Sequence, residues 1–179
     1  ARLTDIGTDE IPFKMSEVPT LAGANHVICT LFYKGKTFYI DATCNHIPYT
    51  YTPQHIQGSE AMIENGDKPL MQIVPQQKAD SSIDSLSYAY HLQGDALVGK
   101  ANYLLRGDMK EWFMSLIDDA GNKNSEEILA NNLNADTHNM TVNNVKWIDK
   151  DARNVWANFV GDIVNQPAIQ QADGEIYVE

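Results

Sequence analysis

The sequence of 179 residues is poor in cysteine and in positive charge, and it has no long apolar run. Two cysteines, Cys29 and Cys44, are too few for a disulfide scaffold. They fit a reducing compartment equally with a secreted domain that has an adequate core, so they do not place the protein. Lys and Arg number 13 against 24 Asp and Glu, for a net charge of −11. With no basic patch, such a chain repels phosphate backbones, and nucleic acid is excluded as an expected partner. No stretch reaches the ~18 apolar residues of a transmembrane helix, and no charged-then-apolar leader opens the chain. There is no Asp-x-Asp-x-Asp-Gly loop, so Asp118-Asp119 and the Asp149, Asp151 pair read as solvated turns rather than calcium ligands. No internal repeat is visible.

What remains is ordinary globular usage, 43% hydrophobic and 21% charged, which sets aside disordered, collagenous and low-complexity chains. The length suits one large domain or two small ones. The opening Ala1-Arg2-Leu3 lacks an initiator Met and reads as mid-strand, so a fragment of a longer chain is expected.

Strand formers and turn residues fill the first third. His26 to Tyr33 and Lys36 to Asp41 are two β-branched and aromatic runs separated by Lys34-Gly35, a hairpin signal. A turn-rich stretch follows with Pro48, Tyr49, Tyr51, Pro53 and Gly58, then a short strand near Met71 to Val74. Residues 76–84 are polar, and the composition shift there marks a domain boundary, with segments 1–75 and 76–179. The second segment opens with a hairpin in which Leu86, Tyr88, Tyr90 and Leu92 alternate with polar or small residues. It turns at Gly94-Asp95 and returns Leu97, Ala101, Tyr103 and Leu105 on the same face. Two helices follow, separated by Gly121. The first starts at Asp108, with Glu111 placed for a capping box, and its apolar stripe is Met109, Trp112, Phe113, Leu116 and Ile117. The second starts at Asn124, with Glu127, and runs to about Leu133. Strands are expected over Met140–Ile148, Arg153–Val160 and Glu175–Val178. The class is α+β, mainly antiparallel β, with the second segment a β-sandwich-like domain carrying a helix pair.

The first hairpin carries the chemistry. With a two-residue loop at Lys34-Gly35, Tyr33 faces Lys36, Thr30 faces Tyr39, Ile28 faces Asp41 and His26 faces Thr43. His26, Ile28, Thr30 and Phe32 then share a face with Thr37, Tyr39, Asp41 and Thr43. His26 and Asp41 become diagonal neighbours about 7–8 Å apart along the backbone, within reach of each other's side chains. A carboxylate there fixes the imidazole tautomer and leaves the other ring nitrogen for proton transfer, the base-and-orienter half of a catalytic triad. A three-residue loop would shift the pairing and remove the argument, and a surface His–Asp pair is the plain alternative. Val27, Cys29, Leu31, Tyr33, Phe38, Ile40 and Ala42 form the opposite, nearly all-apolar face, which is expected to pack on the core. Neither thiol then reaches His26. The two thiols also lie about four rungs apart, roughly 13 Å, too far for a disulfide. Cys44, His46 and His55 do not have the paired close spacings of a structural zinc site and lack a fourth ligand. They read as a loop thiol and two solvent-facing imidazoles, and no metal or other cofactor is expected.

Ala24-Asn25-His26-Val27-Ile28 and Gly35-Lys36-Thr37-Phe38-Tyr39-Ile40-Asp41-Ala42-Thr43 resemble the His and Asp blocks of transglutaminase-like proteins, a branch of the papain-like superfamily. Val18-Pro19-Thr20 resembles the approach to the His block, and Pro48 to Pro53 with Gly58 resembles the segment after the Asp block. The later portion, including Gly107 and Gly174-Glu175-Ile176-Tyr177, is similar to the β-rich region of unknown function that follows this core in bacterial proteins. The resemblance implies that residues 1–75 are the C-terminal sheet of a transglutaminase-like core and that 76–179 are an accessory domain. It implies His26 as general base and acid, Asp41 as its orienter, and Asn25, Tyr49 and Tyr51 flanking a substrate cleft. In that family an upstream Cys at a helix N-terminus attacks an amide carbonyl to form a thioester, which water or an amine then takes. No Cys precedes His26 in this sequence. The nucleophile is therefore expected from an upstream segment of the same parent chain, and these residues alone are expected to be inactive. The implied partners are protein or peptide substrates with glutamine or other amide side chains, and the implied location is secreted, periplasmic or cell-envelope. The competing class is a non-catalytic binding or structural module of an envelope protein.

Overall fold

Positive φ at both Lys34 (49°) and Gly35 (74°) makes the first turn the I′ type, whose twist matches that of the two strands it joins. A computed structural model describes residues 1–17, 23–134, 139–166, 169–172 and 175–178. Val18, Pro19, Thr20 and Gly174, used in the resemblance, lie outside the described residues. The chain divides into two units, Ala1–Ser82 and Ile83–Glu179, and the division falls inside the polar stretch 76–84.

The first unit is one antiparallel sheet of β1 (Arg2–Ile6), β2 (His26–Tyr33), β3 (Lys36–Ile40), β4 (Glu60–Ile63) and β5 (Leu70–Ile73), in the order β3-β2-β1-β4-β5. The two-residue loop holds, so Tyr33 pairs with Lys36 and Thr30 with Tyr39. One face carries Ile6, Ile28, Tyr39, Ala61 and Ile63, all buried, and Ile56 and Val74 close over it from the flanking loops. Thr4 and Thr30 share a 2.7 Å hydroxyl hydrogen bond on the same face, which satisfies two polar groups that have no access to water. The Tyr39 hydroxyl donates to Gln72 Oε1 at 2.8 Å, although β3 and β5 are opposite edges of the sheet. Five flat strands would hold those edges about 19 Å apart, so this single hydrogen bond requires the sheet to curl around its core.

That core lies on the opposite side from the expected one. Val27, Tyr33, Leu3, Met71 and Ile73 are exposed, whereas Ile28, Thr30, Tyr39 and Asp41 are buried. Both faces of the isolated hairpin are apolar enough to pack. The choice is made by β1 and β4, which place Ile6, Ala61 and Ile63 on the Ile28 side, and by the loop that carries Ile56.

The second unit is a four-stranded antiparallel sheet of β6 (Ile83–Gln93), β7 (Ala96–Arg106), β8 (Met140–Asp149) and β9 (Trp156–Asn165), in the order β6-β7-β9-β8, with α1 (Asp108–Asn134) packed on it. β10 (Ile169–Ala172) and β11 (Glu175–Val178) pair separately. The Gly94-Asp95 turn sets Leu86 opposite Tyr103 and Tyr88 opposite Ala101. Gly121, at φ 67° and ψ 172°, breaks α1 into two helical arms. The whole is α+β and mainly antiparallel. The layer over the four-stranded sheet is the helix pair itself rather than the second sheet of a sandwich, because the arms present Phe113, Met114, Leu129 and Leu133 to Ala101, Tyr103, Leu105 and Phe159. Tyr103 and Phe159 stack at 5.0 Å and Phe113 and Phe159 at 5.3 Å, close to the optimum for offset rings. Among the described residues no helix is long and apolar enough to cross a membrane.

The first helical arm uses a different stripe from the expected one. Phe113 and Met114 are buried, but Trp112 is 61% exposed and Leu116 is 38% exposed. The cause is Lys110, which is fully buried. Its ammonium donates to the carbonyls of Asp151 (2.9 Å) and Asn154 (2.8 Å), and at 3.4 Å to that of Ala152. Asp149 builds the turn that presents them. Its carboxylate accepts from the Asp151 amide (3.0 Å) and the Asn154 side chain (2.8 Å), and β9 therefore begins at Trp156 rather than at Arg153. Lys110→Ala removes a buried stem and strips three carbonyls of their donor, so it should cost about 2–4 kcal/mol in urea unfolding. Trp112→Ala should cost no more than about 0.5 kcal/mol. The reverse order would contradict this packing.

Candidate functional site

His26 is the first residue of β2, and its backbone is paired with Ile6 of β1. Asn25 holds the entry to the strand. Its amide donates to Ile6 O at 3.2 Å, and its side chain exchanges two hydrogen bonds with Thr8 at 2.8 and 2.9 Å. Asp41 follows the last residue of β3 and turns the chain back. Its Oδ1 accepts from the Thr43 amide (2.9 Å) and the Thr43 hydroxyl (2.7 Å), an Asx turn that locks the carboxylate plane. The other oxygen, Oδ2, accepts from His26 Nε2 at 2.7 Å.

The diagonal contact expected from the hairpin register is therefore present, with a difference in setting. Instead of lying on an open face, the pair lies at the rim of the buried one. The Asp41 side chain has no exposure, and that of His26 is 21% exposed. A second imidazole joins it, with His55 Nε2 donating to the same Oδ2 at 2.9 Å. From the sequence, His55 is expected to face solvent. The structure sets it against Asp41, because the short 3₁₀ turn Gln54–Ile56 drops Ile56 into the core and the Asp9 amide donates to the His55 carbonyl at 2.9 Å. The two rings meet edge to face, with centroids 5.7 Å apart. No spacing rule links residues 26, 41 and 55. The one local sign was a lone Ile after Pro53 in a polar loop, an anchor for whatever precedes it.

Asp41 thus accepts four hydrogen bonds while sealed from water. Burial opposes its ionised form. The Thr43 amide and hydroxyl, His26 and His55 together outweigh that, and the carboxyl sits below its ordinary value of 3.8. An ionised carboxylate offers only acceptors, so each Nε2 carries a hydrogen, and in the neutral form of either ring Nδ1 keeps its lone pair. Such a group can take a proton from a thiol or a water, or coordinate a cation.

The other site candidates fall around this cluster. Tyr49 is exposed and Tyr51 is buried, and both line a cleft of about 270 Å³ together with Asp41 and Cys44. His26 and Asn25 are not among its lining residues. Cys29 lies on the outer face of β2, and neither it nor Cys44 is part of a disulfide.

No protein-family model matches the chain, and neither a curated protein nor a solved structure matches it.

A lowered carboxyl contributes stability that is present above its unfolded value and is lost as pH falls through its folded one. Unfolding of the wild type should therefore show a stabilising component that fades below about pH 4. Asp41→Asn turns a donor toward two donors and should lack that component at every pH. Equal acid sensitivity in the two proteins, measured by urea titration, would contradict an ionised Asp41.

Proposed function

We propose that this chain supplies the base, His26, and its orienting carboxylate, Asp41, to a thiol-dependent acyl-transfer or amide-hydrolysis site of the transglutaminase-like type. The observation that carries this reading is the 2.7 Å hydrogen bond from a partly exposed imidazole to a fully buried carboxylate, formed by the two blocks that resemble that family. His26 Nδ1 takes the proton of a thiol, and the thiolate adds to an amide carbonyl. The imidazolium then gives that proton to the departing amine, leaving a thioester. Water or a second amine removes the acyl group, so hydrolysis and cross-linking share one intermediate. Asp41 keeps Nε2 protonated and stabilises the imidazolium. The substrates are amides of proteins or peptides.

The thiol comes from outside these 179 residues. Cys29 lies on the far face of the sheet from His26. Cys44 sits in the turn after Asp41, where its amide donates to Asp41 O at 3.3 Å, rather than at a helix N-terminus that would lower its pKa. A non-catalytic module is the second reading. It is favoured by His55, a second imidazole on an oxygen that a base-orienting carboxylate would reserve for one.

Two measurements test the proposal. In this chain, treated with a chelator, iodoacetamide should label Cys29 and Cys44 at the slow rates of ordinary thiols, unchanged by His26→Ala. Fast labelling of Cys44 that depends on His26 would move the nucleophile into the chain. In a longer chain that includes the preceding segment, one thiol should label fast, and His26→Ala should lower acyl transfer by about 10²–10⁴-fold. A hyper-reactive thiol indifferent to His26 would overturn the assignment.

A further inference from the structure

We infer that His26, Asp41 and His55 form a binding site for one divalent first-row transition-metal ion of the zinc type. Three donor atoms already converge. His26 Nε2 and His55 Nε2 lie 2.7 and 2.9 Å from Asp41 Oδ2, and all three atoms lie within 4.8 Å of one another. Zinc bonds of about 2.0–2.2 Å to imidazole nitrogen and carboxylate oxygen place such atoms roughly 3.0–3.5 Å apart. The cluster closes on an ion by small side-chain adjustments, with the backbone left in place.

The donor set selects the class of ion. Two imidazoles and one carboxylate suit zinc and its first-row neighbours, whereas calcium and magnesium prefer shells of oxygen. The supports are those a ligand set requires. Asp41 Oδ1 is tied to the Thr43 amide and hydroxyl at 2.9 and 2.7 Å, which fixes the carboxylate and leaves Oδ2 to bind. His26 is held by the β1 pairing and His55 by the anchored turn at Ile56. Burial is graded across the site. Asp41 has no side-chain exposure, while His26 and His55 are 21% and 36% exposed. The ion would sit at the rim, with three protein ligands below and a remaining position open to water or an anion.

Binding requires each imidazole to present the Nε2 lone pair, with its hydrogen carried on Nδ1 instead. An ion therefore replaces both Nε2–H···Oδ2 hydrogen bonds and withdraws Nδ1 of His26 from proton transfer. Metal binding does not depend on the acyl-transfer reading. Where that reading holds, the bound ion is an inhibitor of the site.

Calorimetric titration with Zn²⁺, and the visible spectrum of added Co²⁺, test the inference on the chain itself with no substrate. One Zn²⁺ per chain should bind with a Kd of about micromolar or tighter. Co²⁺ should give the intense absorption of a four- or five-coordinate ion with nitrogen ligands. His55→Ala should weaken Zn²⁺ binding by about 100-fold. His55→Gln, which keeps a polar side chain on the same turn, should weaken it similarly. His91→Ala, an exposed residue of the other unit, should bind as the wild type does. Absence of 1:1 binding, or binding that survives both His55 substitutions in proteins with unchanged circular dichroism, would overturn the site. The acyl-transfer assignment fails separately, in thiol labelling under chelator.

Discussion

A carboxylate sealed from water stays charged only if donors occupy its lone pairs, and Asp41 meets that condition with four of them. Thr43 supplies two from the adjoining turn, and two imidazoles supply the rest from β2 and from a loop fourteen residues on. Each donor also fixes something else: the path of the chain after β3, the ring of His26 and the placement of the Gln54–Ile56 turn. Removing the charge would leave several donors facing a neutral or smaller group in a dry setting, where unsatisfied polar groups are costly.

The sheet exists around this point in a specific sense. The I′ turn at Lys34-Gly35 sets the β2–β3 register, and that register brings Asp41 within reach of His26. β1 and β4 then decide which face is inside, and the Tyr39–Gln72 hydrogen bond records the curl that follows. The site stands at the edge of that curled face, where the core ends and water begins. A group there is held by packing on one side and can meet a ligand on the other. The second unit rests on a similar solution to a different problem, a buried ammonium of Lys110 met by the carbonyls of one turn.

Local chemistry was legible in the sequence, and long-range choices were not. The hairpin at Lys34-Gly35 could be read because turn type and strand alternation are properties of neighbouring residues, and so could the hairpin at Gly94-Asp95 and the break at Gly121. From the first of these came the His26–Asp41 contact. The buried face could not be read, because Ile28 and Val27 present equally apolar sides until Ile6, Ala61 and Ile63 arrive from elsewhere in the chain. Nor could Lys110: apolar periodicity assigns a lysine to solvent, and only the turn at 151–154 makes the interior acceptable to it, which leaves Trp112 outside. His55 stayed hidden for the same reason. Its partner is reached through the anchoring of Ile56, and no local spacing encodes that. The strand Glu60–Ile63 is four residues long, too short for alternation to stand out.

The hydrogen bonds of both imidazoles to Asp41 are tested most directly by the protonation state of the two rings. Long-range ¹H–¹⁵N correlation spectra of the metal-free chain at neutral pH distinguish protonated from bare ring nitrogens. His26 and His55 should both carry hydrogen on Nε2, and Asp41→Asn should change the pattern in at least one of them. A hydrogen on Nδ1 and a bare Nε2 in either ring, or spectra unaltered by Asp41→Asn, would contradict this arrangement.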